Sequence, residues 1–292
     1  MSTVTEETPA VGCLICEAPN PPDAAICANC SAPMALIHDS VAQAREPRII
    51  SIIGDSNVGK TVYLGMLLDM LARRVGDFEA IPKGAYSVHL QQNVVGHLAA
   101  RMFPPKTPME ADQWYWAYYQ IAYRSKGKAW FDLIMPDMAG EALAAEIDAP
   151  RSHGVIRSLL HKCEGAILLV DAAVAAQGSA GPDFFALKLL SYMDNVFAVK
   201  RDERVKMPVA VVLCKADCCP VAFDDPRIFA ETNLNRLWNI CDSRFANVEF
   251  FAASSVGSLG YVAHNPQHIV SVPLHAAPRG IVEPFEWILE QL

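Results

Sequence analysis

Residues 54–61 read Gly54-Asp55-Ser56-Asn57-Val58-Gly59-Lys60-Thr61, a glycine-bounded loop that ends in a lysine and a hydroxyl. Between a strand and a helix, such a loop points successive main-chain N–H groups at an anion, and the helix N-terminus adds its dipole. Lys60 would reach the outer phosphates of a nucleoside triphosphate, and the Thr61 hydroxyl would ligate Mg²⁺. A second signal is Asp137-Met138-Ala139-Gly140, after an apolar run. An aspartate at the carboxyl end of a buried strand can hold Mg²⁺, and the Gly140 N–H behind it can meet a γ-phosphate. Two further pairs, Cys13-x2-Cys16 and Cys27-x2-Cys30, are separated by ten residues. Two tight turns, each presenting two thiolates, give the four-sulfur tetrahedron that Zn²⁺ favours. A closed four-cysteine site leaves no open coordination position, so such a zinc is structural. Disulfides or free thiols are the other reading, which a reducing compartment disfavours.

These groups need elements to hold them. The chain has 292 residues, 52% of them apolar and 19% charged, enough for a sizeable core. Its net charge of −8 argues against a general nucleic-acid-binding surface. The opening MSTVTEETPA is polar and acidic, unlike a signal peptide, and no apolar run approaches the roughly 20 residues of a membrane span. The expectation is a soluble, cytoplasmic protein with reduced thiols.

Residues 13–33 carry almost no apolar periodicity and cannot form a core alone. From residue 48 onward, apolar β-type runs alternate with helical patterns, which predicts an α/β domain around a mostly parallel sheet. Strands are expected at 48–53, 114–124, 129–135, 166–171, 209–213 and 248–252. Helices are expected at 60–75, near 183–203, near 227–242 and at 284–292. Residues 77–112 read as irregular, with a helix over 86–102. A hairpin-length connection at 125–128 joins the second and third strands, and strand 114–124 is expected towards an edge. The division that follows is a flexible N-terminus (1–12), a ribbon (13–33), a linker (34–47) and a body (48–292) with insertions near 77–105 and 258–281.

The segment 13–33 resembles the short zinc-ribbon family, whose paired knuckles flank an Asn-Pro-containing link. Asn20, Pro21, Asp23, Ala24 and Ile26 match it. That family often has glycine after each knuckle, where Glu17 and Ser31 stand here. If a left-handed backbone is required there, each departure costs about 1 kcal/mol. The resemblance implies contact with a partner.

Residues 47–257 resemble the Ras-like, translation-factor-related (TRAFAC) class of P-loop GTPases, and the loop is similar to that of Rab-type members. That class has a three-layer α/β sandwich with one antiparallel hairpin strand. It reads guanine with Asn/Thr-Lys-x-Asp, to which Cys214-Lys215-Ala216-Asp217 is similar. Asp217 would accept two hydrogen bonds from the guanine edge, the Lys215 stem would cover the base, and Cys214 replaces the usual asparagine. Ala253-Ser254-Ser255-Val256-Gly257 resembles the guanine loop in altered form, with the Ser254 N–H on the base oxygen. By elimination Thr107 is the candidate switch threonine for Mg²⁺ and γ-phosphate, a turn residue between prolines being the other reading. Glu141 stands where the class usually has glutamine to orient the attacking water, which implies slow intrinsic hydrolysis. Arg151 and Arg157 are candidates for additional positive charge.

The resemblance thus implies a GTP/GDP-binding, Mg²⁺- and Zn²⁺-dependent slow GTPase acting as a partner-regulated switch. Its switch segments would lie near 100–112 and 138–157. A ribbon joined to a divergent GTPase with a long first switch region is similar to the bacterial double-GTPase-like families. The rival reading is a non-hydrolysing nucleotide-binding adaptor, whose ribbon and aromatic strand (Trp114, Tyr115, Trp116, Tyr118, Tyr119) bind protein partners; the first reading of that aromatic run is a strand with one face buried under helices.

Overall fold

A computed structural model of the chain describes residues 10–43, 46–125, 129–197, 203–265 and 268–292. Outside it fall most of the expected flexible N-terminus, most of the connection at 125–128, and the end of the helix expected to reach 203. The N-terminal segment pairs β1 (Val11–Gly12) with β2 (Pro19–Asn20) and continues into α1 (Ala35–Gln43). The body runs β3 (Arg48–Gly54), α2 (Lys60–Ala72), β4 (Phe78–Pro82), α3 (Tyr86–Ala99), β5 (Trp116–Tyr123) and β6 (Phe131–Pro136). Next come α4 (Gly140–Asp148), α5 (Gly154–Lys162), β7 (Gly165–Asp171), α6 (Ala172–Ala176), α7 (Gly181–Phe197) and β8 (Val209–Cys214). The chain closes with α8 (Val221–Asp224), α9 (Pro226–Asn233), α10 (Asn235–Arg244), β9 (Val248–Ala252), β10 (Gly257–Asn265), β11 (His268–Ala276) and α11 (Glu283–Gln291).

The central sheet has the order β4-β5-β6-β3-β7-β8-β9, and only β5 runs against the other strands. Strands β3, β7 and β8 are nearly uninterrupted runs of Ile, Leu, Val and Ala because helices cover both faces. One face packs against α2, α3 and α11, the other against α4, α5, α7, α9 and α10, which makes three layers. Helix α2 is apolar almost all round, as a helix enclosed on every side must be. Gly65 permits that enclosure: a Cβ there would lie 2.5 Å from the Val94 side chain on α3.

Three expectations change. Strand β4 forms within the segment read as irregular and pairs outside β5, which lies towards the edge as expected but one place in. The connector 34–47 contains α1, whose Leu36 and Ile37 are buried in a core shared with Ile15, Ile49 and Ile53. The helix expected near 227–242 is two helices, since the buried Asp183 carboxylate accepts from Arg236 N and Leu237 N and caps a new start. Trp116, Tyr118 and Tyr119 are buried, as the reading of the aromatic run as a strand under helices expects, and the burial extends to both faces of β5. The 258–281 segment forms the β10–β11 hairpin.

Candidate functional site

The cysteine pairs meet as the spacing requires. All four Sγ atoms lie within 4.8 Å of one another, with Cys13–Cys30 and Cys16–Cys27 at 3.6 Å. Zn–S bonds of about 2.3 Å give a tetrahedron of nearly that size. The two knuckles repeat one pattern: Glu17 N donates to Cys13 O and Ser31 N to Cys27 O, each at 2.9 Å. Ile15 N and Asn29 N donate to the Cys13 and Cys27 sulfurs, and buried Asn20 reaches Cys27 Sγ at 3.4 Å. These donors favour thiolates; the Cys30 thiol holds Cys13 down to about 5. The set fits a structural Zn²⁺. The ribbon is docked on the body, where Lys162 on α5 donates to Leu14 O and pairs with Glu17.

Glu17 and Ser31 do adopt left-handed φ values of 65° and 60°. Ser31→Gly is therefore expected to stabilise the ribbon by about 1 kcal/mol. The check is a thermal melt of the zinc-loaded chain, in which an unchanged or lower midpoint contradicts the strain.

At the carboxyl ends of β3, β6 and β8 the chain forms a cleft of about 440 Å³, the usual position for a ligand in an open parallel sheet. Residues 54–59 turn from β3 into α2, with Asn57 (φ 60°) and Gly59 (φ 104°) left-handed. Asparagine tolerates that conformation better than most side chains. Ser56, Asn57, Val58, Gly59, Lys60 and Thr61 line the cleft. Gly54 and Asp55 do not; their carbonyls accept from Lys60 Nζ at 3.1 and 2.8 Å, and the Asp55 carboxylate accepts from Ser56 N. Burial lowers the Lys60 pKa, which the charges of Asp137, Glu141 and Asp55 oppose.

Three oxygen-bearing side chains from distant parts of the sequence converge. Thr61 Oγ1 lies 2.9 Å from Thr107 Oγ1 and 3.0 Å from Asp137 Oδ2, and Thr107 Oγ1 donates to Asp137 Oδ2 at 2.9 Å. Burial pushes Asp137 up to about 6, against the two hydroxyl donors and Lys60. An all-oxygen set with one buried carboxylate fits Mg²⁺, which keeps several waters. Gly140 stands against the loop: a Cβ there would lie 2.6 Å from Ser56 N and 2.7 Å from Lys60 Nζ. Any side chain would therefore fill the space where Lys60 meets the cleft. Glu141 follows in the first turn of α4, accepting from Ser56 Oγ and from Lys106 Nζ at 3.2 Å. The Ser56 hydroxyl leads in holding its carboxyl below the usual range.

At the other end of the cleft, Lys215 is left-handed (φ 57°) and its ammonium pairs with Asp171 at 2.6 Å and donates to Asn57 O at 3.0 Å. Cys214 is buried and its thiol reaches Val58 O and Val170 O at 3.4 and 3.2 Å, weak ties in the place of an amide's strong ones. Asp217, Ser255 and Val256 line this end, together with Leu259 and Ser271 from the β10–β11 hairpin.

The structure corrects one expected contact. Ser254 N donates to Arg279 O at 2.9 Å, and Arg279 N returns the bond to Ser254 O, so the Ser254 N–H is committed to a backbone bridge. Ser255 and Val256 face the cleft instead. Arg151 and Arg157 do not line it either; Arg157 turns towards His161. The sequence reading missed Asp171, although an aspartate closing a buried strand was there to see, and Lys106, which directly precedes Thr107.

A family model described as Double-GTPase 2 matches residues 48–268. No curated protein matches the chain. Among solved structures, the chain is similar to the S. cerevisiae Ski7 GTPase-like domain bound to GTP, with 16% identity and a TM-score of 0.46, over 87% of this chain and 52% of that one. The chain thus spans about half the length of that yeast protein chain. It is also similar to the Arl6 BBS3 small GTPase from Trypanosoma brucei with bound GppNp, with 12% identity and a TM-score of 0.44, over 84% of this chain and 96% of that one.

Proposed function

The chain belongs to the Double-GTPase 2 family, and from that premise we propose that it is a Mg²⁺-dependent GTPase, slow on its own and regulated by a protein partner. One observation above all supports this reading. Thr61, Thr107 and Asp137 meet within hydrogen-bonding distance of one another, beside a Gly140 that leaves Lys60 open to the cleft. Main-chain N–H groups of residues 57–61 and the Lys60 ammonium bind the phosphates. Thr61, Thr107 and Asp137 would hold Mg²⁺, which would supply positive charge against the phosphates. Gly140 and Thr107 report the γ-phosphate, so the segments around them change order when it leaves.

Guanine is read by Asp217, with Lys215 covering the base and Ser255 and Val256 closing the pocket. Asp217→Asn is expected to weaken GTP binding about 10- to 100-fold, because the carboxylate is replaced by a group that can accept only one hydrogen bond from the two guanine donors. Xanthine carries a carbonyl where guanine carries an amine, so the same variant gains affinity for XTP, which the asparagine amide can meet. Fluorescence titration with both nucleotides checks it; unchanged GTP affinity would contradict the assignment.

Slow turnover is what Glu141 implies, since its carboxyl, held below the usual range by the Ser56 hydroxyl, would stand beside an anionic phosphate. Single-turnover hydrolysis with enzyme in excess tests the reading: slow phosphate release supports it. Tight GTP binding without release at any enzyme concentration would leave the adaptor reading. The four-cysteine site holds structural Zn²⁺, and the ribbon, with Ile26 46% exposed, offers a contact for the partner. No helix among the described residues is long and apolar enough to cross a membrane. We place the protein in the cytoplasm, where its free thiols stay reduced.

A further inference from the structure

We propose that Lys106 is the built-in cation of the hydrolysis site, supplying in cis the positive charge that Glu141 makes necessary. This rests on the GTPase reading above. Three cations line the cleft among the described residues: Lys60, Lys106 and Lys215. Lys60 is committed to the phosphate loop and Lys215 to Asp171 and the base end. Lys106 remains, and the arginines that follow α4 lie elsewhere.

Its place is fixed from two sides. It directly precedes Thr107, whose hydroxyl is bonded to Asp137, so the backbone at 106 cannot stray from the phosphate end. Its Nζ lies 3.2 Å from Glu141 Oε1, the same oxygen that accepts from Ser56 Oγ in the phosphate loop. Gly140, against Ser56 N and Lys60 Nζ, completes the surround. An exposed ion pair of this kind contributes little to stability, so folding gives small reason for it. Catalysis gives a larger one. A carboxylate beside an anionic phosphate is repelled by it, and a cation touching that carboxylate offsets part of the repulsion.

In the step itself the water oxygen bonds to the γ-phosphorus while the bond from phosphorus to the β–γ bridging oxygen breaks. The bonding pair leaves on GDP, and the water proton passes to the released phosphate. Glu141 accepts a hydrogen bond from the attacking water without keeping its proton. Lys106 lets Glu141 remain there and faces the charge that spreads over the γ-phosphate oxygens.

The test compares wild type with Lys106→Ala and Lys106→Arg as full chains. The readouts are single-turnover GTP hydrolysis, GTP affinity, and trapping of GDP by aluminium fluoride. Lys106→Ala is expected to slow hydrolysis roughly 10- to 100-fold, to leave GTP affinity within about threefold, and to lose the aluminium fluoride complex. Lys106→Arg is expected to keep both. An unchanged rate in Lys106→Ala, equal losses in rate and affinity, or retention of the aluminium fluoride complex would overturn the proposal. A wild-type chain that binds no GTP would instead overturn the GTPase reading itself, so the two failures are distinguishable.

Discussion

Lys60→Ala is expected to weaken GTP binding by about 30- to 5,000-fold, the loss of ~2–5 kcal/mol that follows truncation of one partner of a buried charge pair. Lys60 is 7% exposed, and its ammonium donates to two carbonyls of the loop it serves. Phosphate oxygens are the better acceptors, being charged, and the lysine is positioned for them without a large rearrangement. Removing it also leaves the buried Asp137 carboxylate without its nearest cation, which raises that pKa further from about 6 and weakens any Mg²⁺ held there. Calorimetry with GTP and Mg²⁺ measures the loss, and a thermal melt establishes that the chain still folds. A folded variant with wild-type affinity would contradict the phosphate-loop assignment.

Zinc removal is expected to act on the other end of the molecule. Structural Zn²⁺ in ribbon-sized peptides contributes about 10–16 kcal/mol of apparent binding free energy at neutral pH, far more than a two-stranded segment of this size can supply. A strong chelator, or Cys27→Ser, should therefore unfold residues 13–33. The effect does not stop there, because Ile15, Met34 and Leu36 share a core with Ile49 and Ile53 of β3. Hydrogen exchange should show protection lost over 13–43, while β3 and β7, buried at the sheet centre, keep theirs. Native chain carrying no zinc with all four thiols reactive, or unchanged exchange after chelation, would contradict this account.

Much of the site was legible because its chemistry is local. Residues 54–61 need only a strand before and a helix after, and Ile49–Ile53 and Val62–Leu68 are apolar enough to demand both. Cys13, Cys16, Cys27 and Cys30 likewise carry their geometry in their spacing. Thr107 was reached by elimination, and the structure brings its hydroxyl to Thr61 and Asp137. What escaped depends on tertiary placement. Periodicity could not show that Phe78–Pro82 adds a strand outside β5, since a five-residue segment with mixed burial has no strong pattern. Ser254 and Ser255 are indistinguishable in sequence; the backbone bridge to Arg279, from beyond the hairpin, decides which N–H remains for a ligand. Lys106 reads as a solvated lysine until Glu141, far along the chain, is placed beside it. Even the aromatic run needed the neighbouring layers, because burial on both faces of β5 is set by helices that its own residues do not encode.

The most direct test of the whole account is a calorimetric titration of the nucleotide-stripped chain with GTP, and separately ATP, in the presence of Mg²⁺. The account predicts one saturable site for GTP and at least about tenfold weaker binding of ATP, which lacks the donors that Asp217 meets. Flat heats with both nucleotides, or ATP binding tighter than GTP, would contradict it.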